Sequence, residues 1–337
     1  MRIAIDARYL GHGETGRLLE SILTNLDFTK DEYVLIGKKE YIEHYMPAVY
    51  VYDNTDASEL ENMFKISKKT VNMCDAFFTP SFIIPRGIKC KIVSIMPNLM
   101  WIEHPEHIKS KIEAFLKKRA LIRCLKKSSK VFTMSKYMKN VITSHYKSFG
   151  KKIIVKDPGV SLRLTDNFNN SKKKGYVIFT GNYKYFSGIE IMLEAMTKLT
   201  NLELLIVGRR EKFKHDRPDL VSYIDYPNIR FSERITNSEL LEAIQRAKFL
   251  VAPNTYSGFN MSVLEALNLG TKVIISDIPA YKEIFGKEPV DFFESGSVKS
   301  LCQTLVVADP TFELRPDFNE KFSSVNFTNR VYEELTR

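Results

Sequence analysis

Long apolar runs are absent from this chain of 337 residues. None approaches the roughly 18 consecutive residues that a membrane-crossing helix needs. Met1 leads straight into Arg2-Ile-Ala-Ile-Asp6, without the basic end and apolar core of a signal peptide. A cytoplasmic protein is therefore expected, peripheral at most on the inner face of a membrane. Cysteine is scarce as well: Cys74, Cys90, Cys124 and Cys302 stand apart, with no C-x-x-C spacing. Their scatter argues against a zinc ribbon or a disulfide framework and fits a reducing compartment. No D-x-D pair occurs, which removes a common way of holding a divalent ion on a diphosphate. Neither a metal nor a cofactor is expected. Repeats at solenoid spacing and low-complexity tails are missing too.

What is present is positive charge and alternating structure. The formal net charge of +10 points to a negative partner: nucleotide phosphates, anionic lipid or nucleic acid. At about 100–200 residues per domain, the length favours two domains. Strand-like runs recur at Arg2–Ala7, Tyr33–Gly37, Ala76–Thr79, Lys91–Met96 and Lys130–Ser135. Amphipathic segments such as Leu18–Leu26 and Ile112–Leu125 lie between them. A second series follows at Tyr176–Gly181, Leu202–Gly208, Ile229–Ser232, Phe249–Pro253 and Lys272–Asp277. The polar stretch Asp166–Lys174 separates the two series and reads as a linker. This alternation predicts an α/β protein of two doubly wound Rossmann-like domains facing each other across a cleft.

The most informative stretch runs from Tyr256 to Gly270. Apolar runs bounded by turn residues flank it, and Val263, Leu264, Leu267 and Leu269 fall at roughly helical spacing. The pattern is strand, Gly loop, helix, strand. In such a unit the loop sits at the carboxyl end of the strand, where the amides of the first helical turn face a crevice suited to an anion. Gly258 lets backbone approach a ligand without a Cβ in the way. Glu265, about two turns into the helix, is placed to accept hydrogen bonds from a sugar hydroxyl. The competing reading makes Gly258 a simple turn and Glu265 a solvated helix residue.

Three other motifs need weighing. Gly11-His12-Gly13-Glu14-Thr15-Gly16 matches G-x-G-x-x-G after a strand. Arg8-Tyr9-Leu10 intervenes, however, and the next strand ends in Lys38 and Lys39 rather than an acid, which disfavours a dinucleotide. A flexible loop approaching an anion is preferred. Lys109–Lys130 carries Lys111, Lys117, Lys118, Arg119, Arg123, Lys126 and Lys127 among apolar residues, with the two classes on different faces. A helix of that kind suits an anionic bilayer, or it is a solvated outer face over a Rossmann-like core. Few aromatics are interleaved with the charges, which argues against nucleic acid. In Trp101–His107, Pro105 separates His104 from His107, and a polar surface loop is preferred to a metal site.

With these residues in place, the chain resembles the retaining, two-domain GT-B glycosyltransferases of family 4, and within them the mannosyltransferase-like members. The likeness rests on Ile3–Ala7 with Thr15-Gly16-Arg17, Lys130–Tyr137, Pro158-Gly159-Val160, Val177–Asn182, Ser257–Gly270 with Ser276, Asp277 and Pro279, and the closing Phe322-Ser323 and Val331-Tyr332. It implies a first, acceptor domain over 1–160 completed by 318–337, a linker over 161–174 and a donor domain over 175–317. It also implies sugar transfer from a nucleotide-diphosphate sugar to a glycan, lipid-linked or similar acceptor, with retention and without a metal. On that pattern Glu265 holds the ribose. The amides of Gly258, Phe259, Asn260 and Met261 face the sugar and phosphates, and a Gly13–Gly16 loop closes from the first domain.

Several positions depart from the family pattern. Ser257 stands in place of a glutamate, Met96-Pro97 in place of His-Asp, and in the loop after Gly181, Asn182 and Ser187 in place of an Arg and a Lys that clamp the diphosphate. Losing two cations aimed at a leaving diphosphate slows transfer by several kcal/mol unless others replace them. Lys184 and Arg209 or Arg210 are the candidate replacements, with ordinary surface cations as the alternative. The departures also admit a degenerate glycosyltransferase-like binding or scaffold subunit beside an active transferase. A DNA-modifying sugar transferase is a lesser alternative, resting on analogy.

Overall fold

The computed structural model describes residues 1–11, 13–55, 65–96, 98–105, 110–160, 175–233 and 235–337. The chain divides into two compact units, 1–161 with 320–337, and 162–319. The expected 161–174 linker lies outside the described residues.

The first unit is built on seven strands: β1 Arg2–Asp6, β2 Glu32–Gly37, β3 Val49–Tyr52, β4 Ala76–Thr79, β5 Lys91–Ile95, β6 Lys130–Thr133 and β7 Ile153–Val155. Their order is β3-β2-β1-β4-β5-β6-β7, and every described pairing is parallel. The second unit has six: β8 Val177–Thr180, β9 Leu204–Val207, β10 Ile229–Phe231, β11 Phe249–Ala252, β12 Lys272–Ser276 and β13 Val290–Phe293. These run β10-β9-β8-β11-β12-β13, again parallel. Central strands such as Ala76–Thr79 and Phe249–Ala252 are buried throughout, as expected when helices cover both faces of a parallel sheet.

Each sheet reverses its strand order once, between β1 and β4 in the first unit and between β8 and β11 in the second. The loops leaving adjacent strands diverge at such a point and open a crevice at the carboxyl ends. In the second unit those are the loops after β8 and after β11, the two that carry most of the expected donor-binding residues.

The helix Ser324–Thr336 returns to the first unit, as expected. Phe327 packs its ring 5.9 Å from Phe132. Tyr332 donates to Asp31 Oδ2 at 2.6 Å, and Asn25 Nδ2 donates to Ser324 Oγ at 3.1 Å. Gly159 is what admits this helix: a Cβ there would lie 2.1 Å from the Ser324 nitrogen.

Candidate functional site

The loop between β11 and the helix Met261–Asn268 is fixed by its own polar groups. Asn260 caps the helix, its Oδ1 accepting from the Ser262 amide at 3.0 Å. Its Nδ2 donates to the Tyr281 hydroxyl at 3.0 Å, and that hydroxyl donates to Asn254 Oδ1 at 2.9 Å. The Ser276 hydroxyl donates to the Asn254 carbonyl. Residues 256–260 are all buried, and this network ties the loop to Tyr281 and Ser276. The Tyr281→Phe variant leaves Asn260 and Asn254 without their shared hydroxyl. It is expected to lose about 1–3 kcal/mol of stability, read by chemical denaturation; no change would show that the loop is held some other way.

Within this frame Glu265 is only 3% exposed. The reading of it as a solvated helix residue is therefore corrected, because no helix face open to water buries its carboxylate. Ser257 is also buried, and its hydroxyl turns back to donate to the Phe259 carbonyl at 2.6 Å. In this arrangement the side chains of Ser257 and Asn260 serve the loop itself.

The loop after β8 lies against this one. The Thr255 amide donates to the Phe186 carbonyl at 3.0 Å. Gly188, left-handed at φ 70°, caps the helix Ile189–Lys198 with no side-chain hydrogen bond. Asn182 Oδ1 accepts from the Lys184 amide at 3.0 Å, so Asn182 shapes the turn after Gly181. Ser187 is buried, as is Tyr183, whose hydroxyl occupies the space over Gly208. Among the described residues neither hydroxyl has a partner, and nor does that of Thr180. Thr180 ends β8, and Tyr183 and Ser187 follow it in the same loop.

The candidate cations separate. Arg210 is engaged with Asp225 at 2.6 Å, whereas Arg209, directly after Gly208, is exposed with no acidic partner among the described residues. Sequence reasoning missed Arg217. It is buried, bonded to Asp219 at 2.8 Å and to Glu190 at 3.1 Å, and stacked 4.7 Å from the Tyr185 ring. Burial alone would lower its pKa, but the hydrogen bonds it donates to Asp219 and Glu190 raise it above the ordinary arginine value. Arg217 therefore stays charged, matched by two carboxylates, one of them Glu190 in the first turn of Ile189–Lys198. The only trace of it in the sequence is an aspartate two residues on.

In the first unit two expectations change. The Gly13–Gly16 segment is no flexible loop: the helix Gly13–Thr24 begins there, and a Cβ on Gly16 would meet the Tyr9 carbonyl oxygen at 2.6 Å. Gly16 thus serves close packing of helix against turn, while His12 lies outside the described residues. The helix Lys111–Lys127 buries Ala120, Leu121, Cys124 and Leu125. Ile112, Phe115 and Leu116 are exposed, and the Arg119 guanidinium lies 5.4 Å from the Phe115 ring. Apolar and basic residues therefore share the outer face of the helix's first half. No helix among the described residues is long and apolar enough to cross a membrane. Met96 is buried beside β6, and Pro97 and His107 lie outside the described residues.

Residues 174–307 match the sequence profile of the family glycosyl transferases group 1. An uncharacterized glycosyltransferase of Methanocaldococcus jannaschii is 25% identical over 182 residues, 48% of this chain and 45% of that protein. The O-antigen chain mannosyltransferase RfbU of Salmonella typhimurium is 26% identical over 172 residues, 50% of this chain and 47% of its own length. The matches thus span about half of these relatives. Among solved structures, WaaG, a glycosyltransferase involved in lipopolysaccharide biosynthesis, superposes with a TM-score of 0.73 over 100% of both chains at 14% identity. The chain has the GT-B glycosyltransferase fold, and its second unit carries the group 1 glycosyl transferase signature.

Proposed function

We propose that this protein is a retaining glycosyltransferase that moves a sugar from a nucleotide-diphosphate sugar to a glycan, lipid-linked or similar acceptor, without a metal ion. The observation that carries the reading is the buried Glu265 carboxylate, on a helix that opens at the strand-order reversal of the unit matching the group 1 profile. Glu265 holds the ribose hydroxyls. The backbone of Gly258, Phe259 and Met261, kept in place by Asn260, faces the sugar and phosphates.

The chemistry needs negative charge to be stabilised on the departing diphosphate. Lys184 and the exposed Arg209 supply it in the proposed arrangement, and the helix Ile189–Lys198 adds the positive end of its dipole. Gly181 and Ser187 line the same turn. Ser257, with its hydroxyl engaged by Phe259, contributes backbone rather than a side-chain contact.

The test is a panel of nucleotide sugars that includes a mannose donor, since one relative is named a mannosyltransferase. The expected result is thermal stabilisation by at least one donor and its slow hydrolysis, unchanged by a chelator. Glu265→Gln should weaken that donor by roughly 10- to 100-fold, the worth of a hydrogen bond to a charged group at about 1.5–3 kcal/mol. Silence across the panel would instead favour a degenerate binding or scaffold subunit, the reading that Asn182 and Ser187 motivate.

A further inference from the structure

A second polar feature lies wholly within the first unit. The helix Lys111–Lys127, the turn at Arg86 and the segment at Lys68 enclose a groove of about 270 Å³, lined by Lys68, Arg86, Leu116, Arg119, Ala120 and Arg123. One water needs only about 10–15 Å³ of such space, so a group of several heavy atoms fits. Four of the six lining residues are cations, and none is acidic.

Among the described residues, no carboxylate pairs with any of the four. The neighbouring ion pair, Lys117 with Glu113 at 2.6 Å, uses residues that do not line the groove. Arg119 and Arg123 stand one turn apart on the helix, where like charges repel. Arg123 is partly buried and tethered to the Ile84 carbonyl at 3.4 Å. Burial, and then the nearness of Arg86 and Arg119, lower its pKa. Proteins seldom gather cations this way without a counter-charge, because each raises the energy of the others. An anion would relieve the repulsion, and planar guanidinium forks match the oxygens of phosphate.

We propose that the groove formed by Lys68, Arg86, Arg119 and Arg123 binds a phosphate group, either free or carried on a lipid headgroup. The groove has no part in the sugar-transfer reading, and its occupancy is read without turnover. Ile112, Phe115 and Leu116, exposed on the same helix, are placed to enter the headgroup region of a bilayer if the phosphate belongs to a lipid.

The full chain is compared with Arg119→Gln/Arg123→Gln and, away from the helix, with Arg86→Gln. Glutamine keeps the helical propensity of the positions it replaces. One probe is inorganic pyrophosphate followed by calorimetry. The other is phosphatidylcholine vesicles with and without phosphatidic acid. Binding should fall on the order of fivefold for each cation removed. Saturable pyrophosphate binding that weakens in both arginine variants, with indifference to phosphatidic acid, identifies a free phosphate as the ligand. Vesicle binding that depends on phosphatidic acid, and that drops in Ile112→Ser/Phe115→Ser while pyrophosphate binding does not, identifies the headgroup. Wild type and both arginine variants binding either probe equally, or not at all, would overturn the proposal.

Discussion

Replacing Gly188 with alanine is expected to destabilise the second unit by about 2–5 kcal/mol. Two costs combine. The backbone at φ 70° and ψ 18° is left-handed, which a side chain tolerates only at about 1–2 kcal/mol. The new Cβ would also lie 1.9 Å from the Pro253 carbonyl oxygen, and backbone cannot yield as a flexible side chain does; overpacking of this kind adds about 1–3 kcal/mol. Gly270 offers the control, since it has nearly the same φ of 69° but nothing within 4 Å of its Cβ position. Gly270→Ala should therefore show the conformational cost alone. Equal losses in chemical denaturation would mean that the two loops do not touch as described. The larger loss matters for ligand binding too, because Gly188 is where the loop after β8 meets the loop after β11.

An effect of similar size is expected in the first unit from Arg8→Met. Arg8 is 1% exposed and Asp6 3%, and the pair is bidentate, Nε to Oδ1 at 2.8 Å and Nη2 to Oδ2 at 2.9 Å. Arg8 Nη1 also donates to Thr55 Oγ1 at 3.3 Å and to the Lys65 carbonyl at 3.2 Å. Removing the cation strands a buried carboxylate, at a cost of about 3–5 kcal/mol. For a unit of this size that corresponds to a Tm lower by roughly 10 °C. The double variant Asp6→Asn/Arg8→Met should recover much of the loss, since replacing both members of a buried pair is often nearly neutral. A single variant within about 1 kcal/mol of wild type would show that water reaches the pair.

How far the sequence carried these conclusions depended on where each residue sits. All ten strands read from apolar runs are present; nine lie inside a sheet, where burial on both faces demands apolar residues along the length, and the tenth, Ile229–Phe231, is an edge strand. The three that were missed, Val49–Tyr52, Ile153–Val155 and Val290–Phe293, are all edge strands. They are short and half-covered, and their signal is correspondingly weak. Several runs were extended past their carboxyl ends, to Ala7, Met96, Gly181, Pro253 and Asp277. The extra residues are where the chain leaves the sheet.

The Tyr256–Gly270 unit was legible because loop, helix and flanking strands are consecutive in the chain. Contacts between distant segments were not. Nothing near Ser257 announces that its hydroxyl folds back on Phe259, and nothing near Arg217 shows that Glu190 and Tyr185 enclose it. Lys68 and Arg86 meet the basic helix only through the fold, so the groove they complete has no sequence signature.

The helix Ser324–Thr336 belongs to the first unit, yet it follows the whole of the second in the chain. A ribosome therefore delivers one sheet entire before it releases the piece that finishes the other. At about 5–20 residues per second, the roughly 160 residues in between occupy the ribosome for about 10–30 s. Throughout that interval the nascent first unit lacks the cover that Phe327 gives Phe132 and the partner that Tyr332 gives Asp31. The unit that starts first is the one that must finish last.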